Sequence, residues 1–153
     1  MNKKIFIFYI LPIFIWMGII FYLSSGVSLK DAILHPDYYR EAVALAKEHK
    51  IPPVNPEFTF LDDLLNNLAH MFVFGVLSFL IFRYYGLIFI SILYSTLYGI
   101  FDEFHQIFIP LRSASLEDVV FDLIGAILGV YIVLFLKKYG IIKLDPPYKK
   151  KKA

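Results

Sequence analysis

The sequence predicts an all-α membrane protein with four transmembrane helices and a short extracytoplasmic helix in the first loop. Three observations carry that prediction. The chain is 59% hydrophobic, with a mean hydropathy of +0.67, whereas soluble domains are about 45–50% apolar even when Gly is counted. The apolar residues gather into four runs, residues 5–23, 64–82, 84–105 and 119–136. Each run is at or near the roughly 20 residues that a bilayer crossing takes. The third observation is that the excess of basic residues falls on one set of run ends.

The first run follows Lys3 and Lys4 and contains Pro12, which is expected to bend it. A basic start before an apolar run also opens a secretory signal. Here the run exceeds the usual 7–15 residues of a signal core, and "YLSSGVS" is a weak cleavage site. The run is therefore read as an uncleaved anchor. Residues 24–60 form the one sizeable loop. "SLKD" at 28–31 has capping-box spacing, with Asp in the acidic position. Pro36, Asp37 and Glu41 suit a helix start, so a surface helix is expected over about 36–50. "IPPVNPEF" cannot continue it and returns as an extended linker. His35 and His49 read as solvated loop histidines.

Orientation follows from Lys and Arg. Lys3, Lys4, Arg83, Lys137, Lys138, Lys143 and the 149–152 lysines share one side; Lys30, Arg40, Lys47, Lys50 and Arg112 share the other with a larger number of acids. Both termini and the Arg83 turn are thus expected in the cytoplasm. The 24–60 loop and the loop between the third and fourth runs then face outward. The net charge of +2 and the juxtamembrane placing of the bases argue against nucleic acid. The "YKKKK" tail, within a basic cytoplasmic 137–153, suits anionic lipid. With no cysteine there is no disulfide framework and no thiolate metal site. No internal repeat is present, and the whole of 1–153 reads as one membrane domain.

Against this background the stretch from Gly99 to Gly129 is anomalous, because it puts many polar groups between two apolar runs. Ionisable groups in or beside spans are costly, face a protein interior or a wet cavity, and mark function. At about 100° per residue, Asp102, Glu103 and Gln106 share one side of the third helix, with His105 at its edge. Pro110 then breaks that helix. On the fourth helix Asp118, Asp122, Gly125 and Gly129 lie in one narrow arc, and the two glycines form a small-xxx-small pair that admits another backbone. The second helix carries Asn66 and His70 one turn apart at its outer end, with Asn67 nearby. His70, Glu103 and Asp118 should therefore converge from three helices. Two readings stay open: an outer catalytic or ligand-binding pocket, or an interhelical network, with Arg112 paired to Asp118, contributing about 0.6–2 kcal/mol per bond.

At these residues the chain resembles the VanZ-like family of small membrane proteins, whose founding member is linked to teicoplanin resistance. The likeness covers nearly the whole sequence. The family signature, approximately D-E-x-x-Q-x-x-x-x-x-R followed by D-x-x-x-N and G-x-x-x-G, is met by Asp102, Glu103, Gln106, Arg112, Asp118, Gly125 and Gly129. "WMGIIFYLSS" from Trp16 to Ser25 resembles the family's first-span ending. Asp122 stands where the family usually has Asn, and Asn66-Asn67 stands where Asp-Lys often precedes the His.

The resemblance implies a cell-envelope role connected with glycopeptide susceptibility, with the lipid bilayer and a lipid-linked envelope precursor as partners. In an enzyme, Asp102 or Glu103 would work with His70 in acid–base chemistry, and Arg112 would hold a phosphate or carboxylate. Asp118 and Asp122 would orient His70 or hold a divalent cation, although no tight metal motif such as HExxH is present. The alternative is a non-catalytic membrane protein that binds or organises an envelope lipid or partner protein. A transporter is the weakest option, since there is no inverted repeat. Neither a cofactor nor a reaction is legible.

Overall fold

Apolar runs flanked by polar residues become helices here because a backbone in hydrocarbon must satisfy its own hydrogen bonds. The computed structural model of the protein describes residues 3–25, 60–109 and 114–150, with isolated helical positions at Asp37, Glu41, Ala44 and Leu45. Helix α1 spans Lys3–Ser25, α2 Phe60–Tyr85, α3 Ile88–Gln106 and α4 Leu116–Lys138; a single turn, α5, covers Pro147–Lys150. Among the described residues there is no strand. Apart from those isolated positions, the surface helix expected over 36–50 lies outside the described residues.

Three of the four long helices are long and apolar enough to cross a membrane: α1, α2 from Leu64 to Tyr85, and α4. The expected four spans are thus met for three. Helix α3 has 19 residues, but Asp102, Glu103, His105 and Gln106 fill its last turn and lower its hydropathy. The surface is inverted relative to a soluble protein. Phe14, Phe72, Phe89 and Tyr131 are all more than 60% exposed, while Ser78, Ser91, Ser95 and Asp122 are fully buried. Large apolar rings outside and polar groups inside are what lipid demands. The chain is a membrane protein.

The best-packed pair is α2 with α4. A Cβ on Gly125 would collide with the backbone of Met71, and one on Gly129 with the backbone of Gly75. These glycines let two backbones touch, as the 125–129 spacing predicts. Helix α3 joins them through Ser95 Oγ, which donates to the Phe74 carbonyl at 3.0 Å. Gly86, at φ 66°, turns the chain sharply between α2 and α3, a conformation that L side chains resist.

Helix α1 is held more lightly. Trp16 Nε1 donates to the Val73 carbonyl at 2.9 Å, and Tyr98 Oη to the Met17 carbonyl at 2.8 Å. Pro12 takes effect one turn upstream, as a π-helical stretch at Phe6–Ile10. The proline ring deprives the Phe8 carbonyl of its helical partner. Arg83 supplies one, donating from Nη2 at 3.0 Å with its guanidinium over the Tyr9 ring.

Candidate functional site

Six of the seven candidate site residues gather at one end of the bundle, and Arg112 lies outside the described residues. His70 comes from α2, Asp102, Glu103 and Gln106 from α3, and Asp118 and Asp122 from α4. His70 Nδ1 lies 2.8 Å from Asp122 Oδ1, which accepts when that nitrogen carries the proton. Asp122 is fully buried and the His70 side chain is 12% exposed. A ring nitrogen of His70 and one carboxylate oxygen each from Glu103 and Asp118 lie within 4.8 Å of one another. These are the residues best placed to share a cation. Asn66 Nδ2 donates to Asp118 Oδ1 at 3.4 Å.

Glu103 is engaged on both oxygens. Gln106 Nε2 donates to Oε1 at 3.2 Å and also to Asp102 Oδ2 at 3.1 Å; the Ser115 backbone N–H donates to Glu103 Oε2 at 2.8 Å. Ser115 is itself the N-cap of α4, its Oγ accepting from the Glu117 N–H at 3.1 Å. One residue therefore starts α4 and ties it to the acid on α3. The expected pairing of Arg112 with Asp118 lies outside the described residues.

Among the described residues, the carboxylate oxygens Asp102 Oδ1 and Asp122 Oδ2 are buried without a hydrogen-bond partner. Asp102, Gln106, His70 and Asn66 line a cavity of about 130 Å³, whose far wall is Ile20, Leu23 and Ser24 of α1. His105 stands at the edge of the cluster, its ring packed on Phe21 with centroids 4.3 Å apart.

Sequence reasoning missed Gly99, Ser115 and Ser24. A Cβ on Gly99 would come 2.5 Å from Asp122 Oδ2, so the glycine makes room for the carboxylate. Nothing local in the sequence announces that contact. Ser115 was findable, because "SLED" at 115–118 has capping spacing.

A helical membrane protein with a buried carboxylate–histidine cluster at one end of the bundle is the class that fold and geometry define. The VanZ/LLP1 family model matches residues 6–137, and the chain belongs to that family. The match covers every candidate site residue. No curated protein and no solved structure matches the chain.

Proposed function

We propose that the protein spans the membrane four times with both termini in the cytoplasm, and that its polar cavity opens to the outer leaflet. There it binds or acts on a lipid-linked envelope precursor and alters susceptibility to teicoplanin-type glycopeptides. The observation that carries the lipid reading is that two pockets of opposite character lie along one seam. The polar cavity of about 130 Å³ and an apolar groove of about 530 Å³ are both bounded by α1, α2 and α3. The groove runs past Ile13, Met17, Leu77 and Leu97 towards the Arg83 end. A polar recess beside an apolar channel matches a headgroup joined to a long chain. The Lys and Arg asymmetry supports the orientation.

Lipid identity is the test. The full-length protein is extracted from its membrane and its bound lipids are read by native mass spectrometry. A polyprenyl-phosphate lipid should co-purify, and Leu97→Trp, which fills the groove from a half-exposed position, should lose it. Ordinary phospholipid alone would end the reading. Orientation is checked separately in this cysteine-free chain. Ala114→Cys should label with an impermeant thiol reagent on intact cells, and Leu87→Cys should not.

The binding-only alternative draws support from Glu103, whose two oxygens are already occupied by Gln106 and Ser115. Those bonds hold the carboxylate in place, as a binding group requires. Glu103→Gln separates the two readings, because binding tolerates it far better than proton transfer does.

A further inference from the structure

Four carboxylates, Asp102, Glu103, Asp118 and Asp122, stand around the His70 imidazole. Asp102, Glu103 and Asp122 are each at most 5% exposed. Among the described residues, His70 is the one basic group bonded to any of them. Buried carboxylates left unpaired are costly, and a bound cation removes that cost more completely than a neutral donor does. We propose that His70, Glu103 and Asp118 are the protein ligands of a divalent transition-metal site.

The arrangement has the parts such a site needs. The three ligand atoms come within 4.8 Å of one another from three helices. At metal–ligand distances of about 2.0–2.2 Å they need to close by only ~1 Å around an ion. Each ligand is braced from behind: His70 by Asp122, Glu103 by Gln106 and the Ser115 N–H, and Asp118 by Asn66. With Nδ1 turned to Asp122, the imidazole offers Nε2 to the ion, the usual carboxylate–histidine–metal relay.

An observation independent of those bonds also points to a ligand. Asp102 is 3% exposed, lines the same cavity as His70, and keeps Oδ1 without a partner. That oxygen is free to accept from a water in the cavity beside His70. One nitrogen with oxygen donors favours Zn²⁺ or Mn²⁺ over Ca²⁺.

The full-length protein is purified in detergent, stripped with chelator and dialysed against Zn²⁺ or Mn²⁺, and its metal content and thermal unfolding are measured. One of the two ions should bind at one per chain and raise the unfolding temperature. His70→Gln, Glu103→Gln and Asp118→Asn should lose it. Asp122→Asn, acting through His70, should weaken binding about 10–100-fold. Glu117→Gln, exposed on the same turn of α4, should keep full occupancy. Folded wild-type protein that takes up neither ion overturns the proposal, whatever the variants do. So do folded ligand variants that bind as much metal as wild type. Metal content and lipid co-purification are separate readouts, so either proposal can fail alone.

Discussion

The two sides of the bundle are built on opposite principles. Where α2 meets α4, glycine lies on backbone: Gly125 against Met71 and Gly129 against Gly75, with no room for a methyl group. Where α1 meets α2 and α3, bulky side chains hold the helices apart, single hydrogen bonds from Trp16 and Tyr98 span the gap, and two pockets open. The site draws His70, Asp118 and Asp122 from the tight side and Glu103 from α3, which packs against both α2 and α4. The loose side supplies only the outer wall. A tight half fixes the polar geometry, and the lightly held α1 leaves two pockets along its seam.

The comparison breaks most visibly at the glycines. Gly125→Leu drives a side chain into the Met71 backbone, which cannot yield as a flexible side chain can. Overpacking costs about 1–3 kcal/mol even in adaptable cores, so this variant should lose most folded protein by size-exclusion chromatography. Ile132→Leu, on the 55%-exposed face of the same helix, should behave as wild type. Equal yields from the two would mean that α4 does not pack through its glycines.

A smaller and more selective effect is expected at Gly99→Ala. The new methyl meets Asp122, whose Oδ2 can turn aside while its Cβ must give by a few tenths of an ångström, so the fold should survive at a cost of about 1–3 kcal/mol. Turning aside breaks the bond to His70. Function should therefore fall much further than thermal stability does. A parallel decline in both would indicate simple repacking.

The smallest effect belongs to the loose side. Tyr98→Phe removes one interhelical hydrogen bond, worth about 0.6–1.7 kcal/mol in a membrane, and should lower the unfolding temperature only slightly. It should also speed lipid exchange, because Tyr98 both lines the groove and tethers α1. Unchanged exchange would show that α1 does not govern entry.

Much of this was legible in the sequence, for a physical reason. Lipid forces every span to be long and apolar, so the runs declare the helices. Polar groups inside them are rare enough that periodicity alone predicts the convergence of His70, Glu103 and Asp118. The boundaries were less legible. The second span begins at Leu64 as expected, but its helix starts earlier, at Phe60, and runs on to Tyr85; α3 begins at Ile88 and not residue 84, because Gly86 and Leu87 make the turn. Illegible altogether were contacts set by apposition, such as Gly99 with Asp122. The cation supplied to the Phe8 carbonyl by Arg83 is another, since the two lie 75 residues apart.

The most direct test of the central claim, that the carboxylate–histidine cluster is the working site and not a cap on the bundle, is glycopeptide susceptibility at controlled abundance. Wild type and the shape-conserving variants His70→Gln, Glu103→Gln and Arg112→Lys are expressed in a susceptible host. Membrane fractions are immunoblotted beside the drug titration. Wild type should protect against teicoplanin, and the variants should lose protection while remaining at wild-type level in the membrane. Retention by Glu103→Gln alone would select the binding-only form of the site. Full protection from all three variants at wild-type abundance would contradict the account.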